Sequence, residues 1–228
     1  RICNKAKVLK YNIGQAISKT DYISSNLLVI VEGESRLIGE INGNNDSLVK
    51  LGQGSIIGLS SILNGQPCEN VIASQELKAI SIPDECFLEA YKNNNDFSSY
   101  CNSKLLPADI FLISKILIER SPRIDINTVA AFSVVAKFAK IFDIKSGEKA
   151  KIKNDLFTIV LSNNIENKKV GDQINSNDLI SFNGNFQGRV VSIPIKLRDE
   201  FNLINNKKEN NDSNIEKSNL KPEIIEEI

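Results

Sequence analysis

The side chains able to do chemistry in this chain are serines, cysteines, carboxylates and basic residues, because histidine is absent from all 228 residues. That absence removes the commonest general base, the usual nitrogen ligand for metals and the Ser-His-Asp arrangement together. Ser60 and Ser61 therefore have no histidine to activate them, and Cys68 has no histidine partner for its thiol. The sequence predicts no catalytic residue and a protein that is not an enzyme.

Two adjacent pairs of acids are the remaining candidates for proton transfer, namely Asp84 with Glu85 and Asp199 with Glu200. Both pairs fall at predicted helix starts or exposed positions, where solvation and the favourable field of a helix N-terminus explain them. Arg189 and Arg198 are interpreted as surface or interdomain residues and not as clamps for a phosphate. None of these groups changes the expectation that the chain is not catalytic.

The four cysteines are far apart in the sequence and form no C-x-x-C pair, so no metal site is expected. Cysteine commonly serves as a small buried hydrophobe, and disulfides are rare in the cytosol. We therefore interpret the chain as a reduced, cytoplasmic protein. The four residues are Cys3, Cys68, Cys86 and Cys101.

Charge and hydropathy exclude further classes of partner. The 28 basic and 28 acidic residues are intermingled, whereas binding to a phosphate backbone requires clustered cations, so nucleic-acid binding is not expected. Polar residues interrupt the longest apolar runs, and a membrane span needs about 20 apolar residues, so any span is expected outside this segment. The chain opens on Arg1 and lacks methionine, so either it is a piece of a longer protein or methionine positions are missing from the sequence.

The stretch with the most informative spacing runs from Gly52 to Ala73 and reads GQGSIIGLSSILNGQPCENVIA. It contains a glycine-bounded strand, a short helical turn over 60–63 and a loop with Pro67 before a returning strand. This pattern resembles the ligand cassette of the cyclic-nucleotide-binding domain family. In that family a strand ends in Phe-Gly-Glu, a short helix follows, and a Pro-Arg-Ala-Ala segment leads back into the sheet. Here Ile57 and Gly58 stand at the Phe-Gly positions.

The resemblance fails at the two positions that bind the ligand. Leu59 stands where the family carries the ribose-binding glutamate, and Cys68 stands where it carries the phosphate-binding arginine. A charge-assisted hydrogen bond contributes about 1.5–3 kcal/mol, so loss of the arginine alone should weaken binding about ten- to a hundredfold. Glu69 would add repulsion of a phosphate, and only backbone N–H groups at the start of the turn would still attract an anion weakly. The candidate pocket is therefore vestigial, and its residues are Gly58, Leu59, Ser60, Cys68, Glu69 and Asn70.

The flanking sequence predicts the scaffold of the same family. From Ala6 to Ile82, short β segments are separated by Gly, Asn and Asp, as an all-β roll requires, with a tight hairpin at 42–45. Pro83 should end the sheet and Asp84 should be the N-cap of a closing helix. The resemblance covers about Lys7 to Asn95. The predicted fold is mainly β with helices (α+β): a cyclic-nucleotide-binding-like β-roll (double-stranded β-helix or jelly roll), then helices and a second small β region.

Helical spacing dominates residues 96–142, which we predict as a connector after a roll at residues 1–95. Ile110 to Ile118 is apolar nearly all round, and a further helix is expected from Thr128 to Phe142. Packing against the roll or the next region is the favoured explanation, since tertiary packing supplies most helical stability. The alternative is a homodimer interface through residues 107–119, because catabolite-activator-like proteins dimerise through a helix placed after the roll.

Residues 143–204 return to a β pattern, with strands expected at 149–153, 156–161, 167–170 and 188–195. Residues 141–152 echo residues 8–19, and LFTIVLSN at 156–163 echoes LLVIVEGE at 27–34. We interpret this region as an abbreviated half-roll that lacks the cassette. Residues 205–228 are rich in Asn, Lys, Glu, Asp and Ser and are predicted to be a polar linker or tail, because they carry too little apolar surface to order themselves.

Three functions fit these observations. The first is a non-catalytic regulatory or interaction module of a larger bacterial protein, without cofactor, whose partners are the rest of a longer polypeptide or another protein. The segments at 32–40, 51–63 and 66–69 resemble, more loosely, the amino-terminal region of cyanobacterial peptidase-type or toxin-secretion ABC transporters. The second is a sensor that still binds a cyclic nucleotide, which the lost residues disfavour, or another small ligand. The third is a catabolite-activator-like transcription regulator, which would need a basic helix-turn-helix after the roll.

Overall fold

The computed structural model describes residues 4–41, 43–121, 126–142 and 144–197. Cys3, Arg198, the acid pair at 199–200 and the tail predicted at 205–228 lie outside these residues.

The first part of the chain is a roll of eight antiparallel strands in two sheets, with strand orders β1-β8-β3-β6 and β2-β7-β4-β5. This order is that of a jelly roll, and it confirms the predicted α+β fold class. The strands are β1 Lys7–Tyr11, β2 Ala16–Ser18, β3 Asn26–Glu32, β4 Ser35–Ile41, β5 Asn44–Leu51, β6 Ile56–Ile57, β7 Val71–Ala73 and β8 Leu77–Pro83.

Alternation of buried and accessible residues explains the strands of the first roll. In β4, Ser35, Leu37, Gly39 and Ile41 are buried while the residues between them are more accessible, as a strand with one face on the core requires. Strands β4 and β5 form the predicted hairpin, in which Ile41 pairs with Asn44.

Five helices lie wholly within the described residues, and they are α1 Leu59–Asn64, α2 Asp84–Asn93, α3 Asn95–Ser103, α4 Pro107–Arg120 and α5 Thr128–Phe138. Residues 195–197, the last that the structure describes, are also helical. Two helix boundaries differ from the predictions. Asp84 is the first residue of α2 and not its N-cap, a position that Pro83 takes with extended backbone. The helix predicted to reach Phe142 ends at Phe138, because Ala139 is extended and the next residues pair with another strand.

Six further strands follow α5 and make up what we call the second roll, residues 140–197. Their orders are β9-β14-β11-β12 in one sheet and β10-β13 in the other. These repeat the orders β1-β8-β3-β6 and β2-β7 of the first roll, without equivalents of β4, β5 and α1. The strands are β9 Lys140–Phe142, β10 Glu148–Lys149, β11 Leu156–Val160, β12 Gln173–Ile174, β13 Leu179–Ile180 and β14 Val190–Pro194.

The turns of the two rolls are also equivalent. Gly14 has φ 79° and donates its N–H to Ala73 O at 2.8 Å. Gly147 has φ 80° and donates to Ile180 O at 2.8 Å, in the matching turn of the second roll. The predicted alignment of residues 141–152 with 8–19, which superposes these two glycines, therefore agrees with the hydrogen bonding.

The second predicted echo is displaced by one residue. In β3 and β8, Asn26 lies opposite Pro83, and in β11 and β14, Leu156 lies opposite Pro194. Leu156 thus corresponds to Asn26 and not to Leu27. The prolines end a repeated Ser-Ile-Pro in β8 and β14 that the sequence comparison overlooked.

Two strands predicted for the second roll differ from the observed strands in position. Residues 167–170 form no strand, since Asn167 has φ 58°, a left-handed conformation that a strand cannot contain. The pairing is made instead by β12 and β13, and of residues 149–153 only Lys149 belongs to a strand.

Helices α4 and α5 lie between the rolls and supply apolar residues to both. Phe111 and Ile118 of α4 belong to the core of the first roll, whereas Ile113 and Ile116 belong to a core formed with the second roll. The all-round apolar character of α4 is thus explained by burial on both sides within one chain. No helix of the described segments is long and apolar enough to cross a membrane.

Candidate ligand cassette

The cassette is built around Gly58 and the short helix α1. Gly58 has φ 93°, and a Cβ there would come within 3.0 Å of Asn26 O, so glycine is required for both conformation and space. Every residue of α1 is buried, and the helix ends at Gly65, which donates its N–H to Ile62 O. Leu59, a predicted pocket residue, packs in an apolar cluster with Phe87.

Glu69 fills the position where a ligand anion was expected. Its side chain is only 4% exposed, and its carboxylate accepts hydrogen bonds from the backbone N–H groups of Gly58, Ser60 (2.9 Å) and Ser61 (3.4 Å). These are the N–H groups that the sequence analysis expected to be free to attract an external anion. That expectation is wrong, because the chain uses them to bind its own carboxylate.

The Glu69 carboxyl lies in an environment that favours its protonated form. Burial raises its pKa to about 7, and the negative charge of Asp109 adds to the increase. The hydrogen bonds from Gly58, Ser61 and Ser60 act in the opposite direction by stabilising the charged form. Among the described residues no lysine or arginine forms an ion pair with Glu69.

Cys68 places a neutral thiol at the position where the resemblance implies a cation. Burial raises its pKa to about 12, with a further contribution from the neighbouring Glu69. Its sulfur lies 3.5 Å from Ser60 Oγ, and its N–H donates to Ser61 Oγ at 3.2 Å. The thiol therefore stays uncharged near neutral pH and supplies no positive charge to the cassette.

The other cysteines show where the prediction of wholly reduced thiols holds and where it fails. Cys68 and Cys101 are free and buried, as expected, but Cys86 is disulfide-bonded. The part of the chain that the structure describes contains no group of side chains able to hold a metal ion.

A buried ion pair between Asp109 of α4 and Arg189 of the second roll adjoins the cassette. The two side chains are 0% and 1% exposed and form two parallel bonds of 2.9 and 3.0 Å. The guanidinium also donates to Asn64 Oδ1 at 2.8 Å and to Lys104 O at 2.6 Å. Arg189 is therefore an interdomain residue and not a surface residue.

Asp109 collects further donors from the cassette and from its own helix. Ser60 Oγ donates to Oδ1, Asn64 Nδ2 donates to the same oxygen at 2.7 Å, and Leu106 N–H donates to Oδ2 at 2.9 Å. Asp109 was not among the predicted site residues. Its one signal was an acid directly before the apolar run 110–113, a position where a buried charge must find a partner.

A cavity of about 440 Å³ opens beside the cassette, between β4, the segment 66–70 and α4. Of the predicted pocket residues, Cys68 and Asn70 line it, with Phe111 opposite and Lys115 and Glu119 also on the α4 side. Gly58, Leu59, Ser60 and Glu69 are not among its lining residues. The structure thus divides the predicted site: Cys68 and Asn70 line this cavity, whereas Leu59 lines a separate apolar cavity with Phe87.

Comparison with known proteins gives structural likenesses only. No protein family model matches the sequence, and no curated protein matches it either. A transcriptional regulator from Thermotoga maritima aligns over 42% of this chain and 77% of its own, with 23% identity and a TM-score of 0.38.

Two other solved structures give similar values. A cyclic nucleotide-binding domain from Methylobacillus flagellatus aligns over 39% of this chain and 51% of its own, with 22% identity and a TM-score of 0.36. The regulatory subunit of a cAMP-independent protein kinase A from Trypanosoma brucei aligns over 42% and 39%, with 17% identity and a TM-score of 0.33. At these low scores, the description of the fold rests on the strand order of the chain itself.

Proposed function

We propose that this chain is a non-catalytic regulatory or interaction module whose cyclic-nucleotide-binding-like cassette is filled by its own Glu69. The observation that carries the proposal is the buried Glu69 carboxylate, which is bound by the N–H groups of Gly58 and Ser60. A cyclic phosphate would have to displace this carboxylate or share its donors.

Electrostatics supports the same conclusion. The nearest buried cation, Arg189, is bound by Asp109 through two bonds, so its charge is already neutralised. Glu69 and Asp109 are both acidic and buried, and Lys115, which lines the adjacent cavity, is paired with Glu119. An added phosphate would therefore gain little to offset its desolvation. Affinity for cyclic nucleotides should therefore be weak.

The setting of the module follows from the sequence resemblance. The segments at 32–40, 51–63 and 66–69 favour the cytoplasmic amino-terminal part of a bacterial ABC-type exporter, with the rest of that polypeptide or another protein as partner. A homodimer through residues 107–119 is the less favoured arrangement, because Phe111, Ile113 and Ile116 are buried within the chain. Light scattering of the purified chain distinguishes a monomer from such a dimer.

Titration calorimetry with cyclic AMP and cyclic GMP tests the ligand-free cassette. At about 1 mM ligand we expect no heat of binding above dilution. A dissociation constant in the micromolar range for either compound would overturn the proposal. AMP and GMP serve as controls for non-specific effects of phosphate and base.

The open cavity supports one second candidate, a sensor for a small ligand other than a cyclic phosphate. Its volume of about 440 Å³ lies within the range of ligand sites, and Phe111 offers an aromatic surface. Adenosine and guanosine, which lack phosphate, separate the two functions in the same calorimeter. Binding of a nucleoside without binding of its cyclic phosphate would favour the sensor.

A further inference from the structure

The connection between α3 and α4 is fixed by hydrogen bonds from the side chains of other segments to its backbone. α3 ends at Ser103 and α4 begins at Pro107. Arg189 donates to Lys104 O at 2.6 Å, and Asp109 accepts from Leu106 N–H at 2.9 Å. The backbone of this three-residue connection is thus bound on one side by the second roll and on the other by α4.

The same two side chains hold the cassette helix. Arg189 Nη1 donates to Asn64 Oδ1 at 2.8 Å, while Asn64 Nδ2 and Ser60 Oγ donate to Asp109. One guanidinium therefore contacts α1, the start of α4 and the connection before it. Because Asn64, Asp109 and Arg189 are buried, displacement of one of these side chains would remove hydrogen-bond partners that water does not replace.

Arg189 is itself fixed within the second roll. Its N–H donates to Ser162 Oγ at 2.7 Å, and its carbonyl oxygen accepts from Leu161 N–H at 2.9 Å. Two more bonds join the second roll to the end of α1, from Asn163 N–H to Asn64 O at 2.8 Å and from Gln66 Nε2 to Leu161 O at 3.1 Å. The cassette and the second roll thus form a continuous hydrogen-bonded interface.

We infer that the second roll is the resident partner of the cassette and sets the position of α4 against α1 through the positioning residue Arg189, without a small ligand. This inference rests on the proposed function and deepens it, since it names what regulates the cassette. In this arrangement a change in the second roll, and not a change in nucleotide concentration, would release α4. The second roll would act as the part of the module that receives a signal.

Hydrogen exchange of the whole chain, followed by mass spectrometry, tests the inference with Arg189→Met. We expect exchange over 59–66 and 104–112 to accelerate at least about tenfold more than exchange in β3 and β8, whose rates follow global unfolding. Lys168→Met is the matched control, because it breaks a more exposed ion pair of the second roll, to Asp178 at 3.0 Å. It should leave both cassette and α4 unchanged. Unaltered exchange in Arg189→Met, or an equal increase in β3 and β8, would overturn the inference.

The double variant Asp109→Asn/Arg189→Met covers the case in which the single variant does not fold. It removes both buried charges, and the amide oxygen introduced at position 109 can still accept from Ser60 and Asn64. If Arg189 positions α4, exchange over 59–66 and 108–112 stays fast in the double variant. Residues 104–106 do not serve as the readout, because the new amide Nδ2 cannot accept from Leu106 N–H as Asp109 Oδ2 does. Recovery of wild-type exchange would mean that Arg189 only neutralises Asp109, which would contradict the inference.

A separate measurement keeps the two proposals distinguishable. Cyclic AMP added to the wild-type chain at about 1 mM should leave exchange over 59–66 unchanged. Protection there would overturn the proposed ligand-free cassette. The response to Arg189→Met, which is measured without nucleotide, would still report on the second roll alone.

Discussion

The two rolls of this chain share six strands and their order, but only the first contains the β4–β5 hairpin and the cassette. The second roll still buries an apolar core that includes Ile165, Ile174 and Ile180. The six shared strands are therefore sufficient to define a roll, and the cassette is an addition with polar groups of its own to satisfy. Glu69 and Arg189 are the side chains that satisfy them.

The largest expected effect comes from removing the buried ion pair between Arg189 of the second roll and Asp109 of α4. Arg189→Met leaves Asp109 buried and unpaired, which should lower the free energy of unfolding by about 3–5 kcal/mol. Urea denaturation measures the change. Lys168→Met, the control in the second roll, should cost about 1 kcal/mol or less, because its ion pair is partly exposed. Equal losses of unfolding free energy in the two variants would show that the buried ion pair stabilises the protein no more than an exposed one.

The second effect concerns the internal carboxylate and pH. The folded pKa of Glu69 is raised to about 7 from its ordinary value of 4.5, so between these values the folded state holds a proton that the unfolded state releases. The stability of the wild type relative to Glu69→Gln should therefore be greatest below about pH 4.5 and should fall as the pH rises to about 7. The decrease amounts to roughly 2–3 kcal/mol.

Denaturation of wild type and Glu69→Gln in parallel from about pH 4.5 to pH 8 checks this sign. Glu119→Gln, at an exposed position on α4, is the control and should show no such difference. A constant difference between wild type and Glu69→Gln across this range would contradict the assigned ionisation.

A third test asks whether Cys68 and Glu69 account for the weak cyclic-nucleotide affinity that we propose for the first roll. Cys68→Arg with Glu69→Ala frees the N–H groups of Gly58 and Ser60 and places a cation at the edge of the open cavity. Cyclic AMP binding should increase about ten- to a hundredfold relative to wild type, as one charge-assisted contact provides. Glu69→Ala alone is the control, and equal affinity in both variants would assign the loss to other positions.

The smallest expected effect comes from substituting glycine in the equivalent turns of the two rolls. Gly14→Ala and Gly147→Ala each force alanine into a left-handed conformation where no neighbouring atom lies within 4 Å. Each should cost about 1–2 kcal/mol, and the two costs should agree closely if the turns are equivalent. Thermal unfolding of both variants measures this. If the destabilisation by the two substitutions differed by more than about 2 kcal/mol, the turns would not be equivalent.

Local signals predicted much of the fold but little of the site. Turn glycines such as Gly14 and Gly147 are visible in the sequence, because positive φ restricts the residue type, and they identified both rolls. The register of β11 was displaced by one residue, since apolar runs in a buried strand do not specify which residue faces which partner.

The interface lay beyond sequence analysis for a different reason. Asp109 and Arg189 are 80 residues apart, and no local pattern pairs them. Glu69 was recognised as unfavourable for a phosphate, but its bonds to Gly58 and Ser60 form only when the segment after α1 folds back against the start of that helix. Such contacts depend on tertiary closure and not on spacing.

The edges of the second roll have one more consequence. Its four-stranded sheet is bounded by β12, two residues long, and β9, three residues long. Short edges present few unpaired N–H and C=O groups, so another chain gains little by adding a strand there. These short edges thus leave the four-stranded sheet poorly suited to edge-to-edge aggregation, even though the core around Ile165 is rich in β-branched residues.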